Sequence, residues 1–226
     1  MSQGKLIIIE SGSDASGKAT QTQLLYEKLT RKGKLVRKIS YPNYKSPASS
    51  LVKMYLAGDF GTKPYDVNAY AASVFFAIDR FASYHAEWKE FYEAGGIVLS
   101  DRYTTSNMVH QGVKLFGDMR DQYLDWLCDL EYGKFGLPKP DCVIFLDVDP
   151  EISLHLMEGR ANKITGQKKK DIHESDVEYL KKTYANSILI AKKYNWITIK
   201  CSNESGMRSK EGINTEILTK VHSIIF

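Results

Sequence analysis

The run Lys5-Leu-Ile-Ile-Ile-Glu10, followed at once by Ser11-Gly12-Ser13-Asp14-Ala15-Ser16-Gly17-Lys18-Ala19-Thr20, restricts the fold more than any other stretch of the chain. Leu6, Ile7, Ile8 and Ile9 form a short, unbroken apolar run, the habit of a strand buried on both faces of a parallel sheet. Behind it, the spacing G-x-x-x-x-G-K from Gly12 to Lys18 is that of a loop that cradles phosphate, with Lys18 set to reach the β- and γ-phosphates of a nucleoside triphosphate. Ala19 breaks the pattern, because a Ser or Thr hydroxyl usually meets magnesium at that position. Two readings stay open on these residues: a working phosphoryl-transfer site with an unusual magnesium shell, or a nucleotide binder without turnover.

Such a loop needs a helix behind it, so that backbone N–H groups and the helix N-terminus point at bound phosphate. "ATQTQLLYEKLTRKG" meets that need, with Leu24, Leu25 and Leu29 on one face and Gly33 as its stop. Thr20 lies one residue past the missing hydroxyl. Successive helix residues diverge by about 100°, which predicts that Thr20 serves another phosphate oxygen or caps the helix. The alternation then repeats. "KLVRKISYP", "GIVLSDRY", "CVIFLDVD" and "WITIKC" read as strands; "AYAASVFFAIDRFASYHAEWKEFYEAGG", "DQYLDWLCDLEYG", "PEISLHLMEG", "DVEYLKKTYANSILIAKKY" and the C-terminal segment read as helices. About five strands separated by helices predict an α/β fold, a parallel sheet covered on both faces.

A chain of 226 residues with this pattern is expected to form one domain spanning 1–226. Between 160 and 174, "RANKITGQKKKDIHE" is polar and poor in apolar anchors, so it is expected to be a loop rather than a sheet connection. The net charge of +4, from 31 basic and 27 acidic residues, is too small for a nucleic-acid surface. No apolar run approaches the roughly 18 to 20 residues needed to cross a bilayer, and the start of the chain lacks a secretion signal. A cytoplasmic protein without nucleic-acid or membrane partners is the expectation. Cys128, Cys142 and Cys201 show no metal-ligand or C-x-x-C spacing and are expected to act as small buried hydrophobes.

A second cluster lies in "LSDRYTTSNMVHQG". Asp101 and Arg102 fall at the carboxyl end of a predicted strand, the edge where open α/β sheets bind ligands. An Asp there can hold magnesium through water, and an Arg can clamp phosphate oxygens with its planar fork. A surface salt bridge is the plainer alternative for the same pair of residue types.

Taken in order, "GSDASGKATQ", "FFAIDR", "DRYTTS" with "HQG" behind it, and "GLPKPDCVIFLDV" resemble the thymidylate kinases, which pass phosphate from ATP to deoxythymidine monophosphate. The resemblance covers most of the chain. It implies the nucleoside monophosphate kinase variant of the P-loop NTPase fold, magnesium with ATP as donor, dTMP as acceptor, a homodimer, and a lid at about 160–174 that closes over ATP. It further implies that Gly12, Ser13, Asp14, Ala15, Ser16, Gly17, Lys18, Ala19 and Thr20 surround ATP. Asp14 matches the acid that contacts the acceptor 3′-hydroxyl, Phe76 the ring that stacks on thymine, and Arg80 the arginine at the base edge. Arg102 matches the grip on the acceptor phosphate, and Tyr103 the ring that crowds a 2′-hydroxyl. Ser106 and Gln111 fall at positions facing base and sugar. Lys18, Asp101, Arg102 and a lid cation are the implied catalytic group, with Asp101 on magnesium, directly or through water.

Three departures from the family pattern stand out. Ala15 occupies a loop position where some members carry arginine, which hands the catalytic cation to the lid: Arg160 is the one arginine there, with Lys163 and Lys168 to Lys170 as further candidates and Ile172 where many lids have arginine. In "YPNYK", Tyr44 stands where the family often places an arginine for the acceptor phosphate, followed by Lys45. Ser11 replaces the family's Glu before the first glycine.

Overall fold

Alternate residues of the first strand, β1 (Lys5–Glu10), enter two different cores, which is what a strand covered on both faces must do. Ile7 and Ile9 join Leu25 and Leu29 of α1 (Lys18–Arg31) and Ile213, Ile217 and Val221 of the last helix; Leu6 and Ile8 join Trp88, Tyr92 and Tyr103 on the other side. The computed structural model describes residues 4–157, 171–203 and 206–225.

The remaining strands are β2 (Val36–Ser40), β3 (Ile97–Asp101), β4 (Cys142–Asp147) and β5 (Ile197–Lys200). They form one sheet in the order β2-β3-β1-β4-β5, every pairing parallel. Five parallel strands match the expectation. In this order β1 and β3 are neighbours, and Ile9 pairs with Asp101. The loop after β1 and the loop after β3 therefore emerge side by side at one edge, a placement that strand order alone decides.

The helices, in chain order among the described residues, are α1, α2 (Ser50–Ala57), α3 (Ala69–Ser83), α4 (Lys89–Glu93), α5 (Thr104–His110), α6 (Gly117–Cys128), α7 (Pro150–Met157), α8 (Val177–Lys193) and α9 (Lys210–Ile225). Two of them, α2 and α5, are absent from the sequence expectation: each is too short to show a long apolar stripe. The stretch expected as one long helix from Ala69 is α3 and α4 joined by a π-helical turn at Tyr84–Trp88, whose Tyr84 and Trp88 are buried in the second core. A two-stranded antiparallel pair, β6 (Ser202–Asn203) with β7 (Gly206–Met207), follows β5. Cys142 and Cys201 are buried as expected, while Cys128 is half-exposed; none forms a disulfide.

Candidate active site

The loop between β1 and α1 is closed on itself by Ser11, whose hydroxyl donates to the Ser13 carbonyl at 3.0 Å and accepts from the Ser13 N–H at 3.1 Å. Gly17 turns the chain into the helix at φ +89°, where a side chain would be strained. Gly12 is required for a different reason: a Cβ there would sit 2.1 Å from Ser187 Oγ on α8. Gly17 occupies the cap of α1 and no side chain caps it, so the capping role expected for Thr20 is not the one it has.

Lys18 is buried, its ammonium donating to the Ser13 carbonyl at 2.8 Å and to Ser16 Oγ at 3.2 Å. Burial first, and Arg102 beside it second, lower its pKa to about 8. The ammonium thus rests on its own loop, 4.0 Å from Asp14, held by neutral oxygens that an anionic ligand would replace.

Arg102 stands just beyond β3 in a left-handed conformation, φ +69°, that only glycine adopts freely. Its backbone is pinned there: the Arg102 N–H donates to Ile9 O at 3.1 Å, and Ser100 Oγ donates to the Arg102 carbonyl at 2.5 Å. The side chain pairs with Asp14 through Nη2 and meets His110 Nε2 through Nη1 at 3.0 Å. With about 15% of either side chain exposed, the Asp14–Arg102 pair is an enclosed one. Burial works against the arginine charge, but Asp14, Glu10 and Asp101 outweigh it and hold the guanidinium above its usual range.

Asp14 and Arg102 open onto a cavity of about 280 Å³ whose wall also includes Ala19, Tyr44, Phe76, Arg80, Asp101, Tyr103, Ser106 and Gln111, and, unforeseen in the sequence, Asn107, His110, Asp171, His173 and Glu174. Of the expected loop residues only Asp14 and Ala19 line this hollow; there they meet the expected residues of α3 and the "DRYTTS" stretch. Phe76 is half-buried and meets Tyr55 edge-on at 6.1 Å. Arg80 is held rigidly: Nε donates to Glu131 Oε2 at 2.6 Å, and Nη2 donates to Glu131 Oε1 at 2.5 Å and to Asn107 Oδ1 at 2.9 Å. Tyr103 is wholly buried and donates its hydroxyl to Pro138 O at 3.1 Å. Ser106 donates to Glu10 Oε2 at 2.6 Å. Tyr44 is half-buried on the wall and Lys45 is exposed away from it. Arg160, Lys163 and Lys168 to Lys170 lie outside the described residues.

Sequence reasoning passed over Glu10, Glu131, Asn107, His110, His173 and Asp171. Glu10 ties three pieces together, accepting from the Ser11 N–H at 3.0 Å, Thr105 Oγ1 at 2.8 Å and Ser106 Oγ at 2.6 Å. A signal existed for it: an acid that ends an otherwise apolar strand is buried only when paired. Asp171 sits on the cavity wall with its pKa raised to about 7, by burial first.

Among the described residues, no group of three or more His, Cys, Asp or Glu is placed to hold a metal. One carboxylate oxygen is nonetheless suited to it. Asp101 Oδ1 is buried with no partner among the described residues, and it lines the same hollow as Ala19. Magnesium takes few protein ligands and keeps waters or phosphate oxygens, so a lone orphaned carboxylate oxygen beside a phosphate loop fits its habits.

A family model described as thymidylate kinase matches residues 9–211. The thymidylate kinase of Mycobacterium tuberculosis is 30% identical over 181 residues, covering 80% of this chain and 82% of that protein. The probable thymidylate kinase of Thermococcus gammatolerans is 29% identical over 227 residues, covering 98% of each. Among solved structures, the thymidylate kinase of Candida albicans superposes with a TM-score of 0.70 at 20% identity, covering 98% of this chain and 92% of that one. The thymidylate kinase of Ehrlichia chaffeensis does so at 0.64, also at 20% identity, covering 97% and 100%. At that identity the likeness of structure speaks for the fold.

Proposed function

The chain belongs to the thymidylate kinase family, and we propose from that premise how its cleft divides the work of the reaction. The protein is a nucleoside monophosphate kinase of the P-loop fold: a phosphoryl group passes from ATP to dTMP, giving ADP and dTDP, a step toward dTTP. Phosphoryl transfer asks for little covalent chemistry from the protein; it asks for alignment of donor and acceptor oxygens and for charge where the transferring group carries it.

In our reading, the N–H groups of residues 12–20 and the Lys18 ammonium hold the donor phosphates. Phosphate oxygens replace the Ser13 carbonyl as the partner of Lys18. Arg102 grips the acceptor phosphate and Asp14 takes the acceptor 3′-hydroxyl. Phe76 lies on the thymine ring, while Arg80, made rigid by Glu131 and with one Nη1 hydrogen on the Tyr103 carbonyl, turns its remaining Nη1 donor to the base edge. Tyr103, Ser106 and Gln111 shape the sugar and base walls, and Tyr44 contributes one hydroxyl. Magnesium, when bound, neutralises donor phosphate charge; Asp101 Oδ1 is the atom that would hold it, directly or through water. The lid at about 160–174 closes over ATP and excludes water in this reading, its cation being Arg160 or one of Lys163 and Lys168 to Lys170.

The observation that carries this reading is the meeting of the loops after β1 and β3: Asp14 and Arg102 pair on the wall of one hollow, and the Lys18 ammonium lies 4.0 Å behind the same Asp14 carboxylate. A single domain over 1–226 and a cytoplasmic location belong to the same proposal. So does a homodimer, supported by the exposed apolar side chains Ile78 and Phe81 of α3 and Leu51 and Met54 of α2. Turnover with Mg-ATP and a panel of dTMP, dUMP, dGMP and dCMP tests the assignment: ADP should form fastest with dTMP, and no ADP above background with dTMP would overturn it. A sensor without turnover is not favoured, since the loss of one hydroxyl ligand at Ala19 costs about tenfold at most where water can substitute.

A further inference from the structure

Arg102 is fixed at both ends of its fork before any ligand arrives, and only one of the two anchors is an acid. Nη2 is paired with Asp14; Nη1 lies 3.0 Å from His110 Nε2. A guanidinium carries donors only, so His110 Nε2 must accept, which places the imidazole proton on Nδ1 and requires the ring to be neutral. Burial, then Arg102 and His173, favour that neutral form.

The imidazole is itself held in place. Its ring lies parallel to His173 at 6.1 Å and 4°. His173 Nε2 shares a hydrogen bond of 2.8 Å with Tyr55, and the Tyr179 hydroxyl donates to the His110 carbonyl. His173 comes from the described end of the lid segment, where Ile172 N–H donates to Leu56 O of α2 at 3.3 Å. Elements far apart in sequence thus surround His110: its Nδ1 is buried with no hydrogen-bond partner among the described residues, and its acceptor atom is turned to the one cavity arginine whose backbone is strained.

We infer that His110 is a positioning residue: as a neutral acceptor backed by His173, it sets the rotamer in which Arg102 meets the acceptor phosphate. The inference rests on the reading of Arg102 as the grip on that phosphate. The five N–H groups of the guanidinium allow it. Asp14 uses one on Nη2 and His110 one on Nη1, which leaves the Nε donor and one on each terminal nitrogen for oxygens of a phosphate. Tyr44 raises the demand on this device. It brings no charge to a wall where a second arginine would share the load, so the orientation of Arg102 must be settled in advance to avoid the cost of ordering a long side chain on binding.

The test is calorimetric binding of dTMP and of thymidine, which lacks the phosphate, to the full-length protein and to His110→Phe, His110→Gln and Arg102→Met. Phe keeps a flat ring but has no acceptor; Gln restores an acceptor oxygen at about the reach of Nε2. His110→Phe should weaken dTMP about tenfold and thymidine less than about twofold, and His110→Gln should return dTMP to within about threefold of the parent. Equal weakening of dTMP and thymidine, or unchanged dTMP binding, would overturn the inference, since packing alone does not sense the phosphate. If His110→Phe does not fold, His110→Leu makes the same comparison. Arg102→Met separates the premise: if it fails to weaken dTMP relative to thymidine, the phosphate-grip reading itself falls, whatever His110 does.

Discussion

Asp14, in the loop after β1, and Arg102, just past β3, form an enclosed ion pair across the mouth of the cleft, 88 residues apart in sequence. The pair exists because β1 and β3 are sheet neighbours, and it holds Arg102 in a backbone conformation that costs about 1 to 2 kcal/mol for any residue with a Cβ.

That strain can be separated from the side chain's chemistry. Arg102→Ala and Arg102→Gly both remove the guanidinium, but glycine accepts φ +69° freely. We expect Arg102→Gly to be more stable than Arg102→Ala by about 1 kcal/mol in urea denaturation, reduced by the greater freedom of glycine in the unfolded chain, with dTMP turnover lost alike in both. Equal stability would show that the residue at 102 bears no strain.

Restoring the hydroxyl at position 19 tests how the metal is held. Ala19→Ser should lower the magnesium concentration for half-maximal rate while changing the maximal rate by less than about threefold, because water can fill that ligand position where the hydroxyl is missing. Titration of rate against magnesium decides it; a thousandfold gain in maximal rate would mean that the natural site is crippled.

Glu131 neutralises the one fully buried arginine described here, with Arg80 at 1% exposure and Glu131 at 0%. Glu131→Ala should destabilise the protein by about 3 to 5 kcal/mol, since it strands a buried charge. Replacing both by apolar residues, Arg80→Met with Glu131→Leu, should recover much of that stability while base discrimination in turnover is lost. Thermal or urea unfolding of the three variants reads the first part, and the ratio of dTMP to dCMP turnover reads the second.

His173 should make the protein acid-sensitive. Burial first, then Lys114, lower its pKa to about 3 from an ordinary 6.5, so the unfolded chain takes up a proton that the folded one refuses. Stability from this group is complete above about pH 6.5 and is lost as pH falls toward 3, by up to about 1.4 kcal/mol per unit. Asp171, raised to about 7, acts in the opposite sense and is common to parent and variant. His173→Gln should therefore show a shallower decline in denaturant stability between pH 6.5 and 4.5 than the parent; parallel declines would remove His173 as the source.

Much of this molecule could be read from residues close together in sequence. Leu6 to Ile9 are uniformly apolar because both faces of β1 are covered; β3 and β4 are near-continuous apolar runs for the same reason, and β2 and β5, at the two edges, are short β-branched segments between helices, so the parallel sheet was legible. The Gly12–Lys18 spacing needs only the strand before it and the helix after it, and both are there. Short elements were not legible. Helices α2 and α5 span eight and seven residues, too few for a periodic stripe, and the π turn at Tyr84–Trp88 leaves no mark in a pattern of period 3.6.

By itself, then, the sequence determined the strand–loop–helix and the α/β class, because each rests on residues close together in the chain; it put forward Lys18, Asp101 and Arg102 from local chemistry, and Asp14, Phe76 and Arg80 through the family resemblance. Tertiary structure alone decided their partners: Glu131 for Arg80, Asp14 and His110 for Arg102, and no described partner for one oxygen of Asp101. The physical reason is that burial sets the worth of a charge, and burial is conferred by strand order and by helices that arrive from elsewhere in the chain.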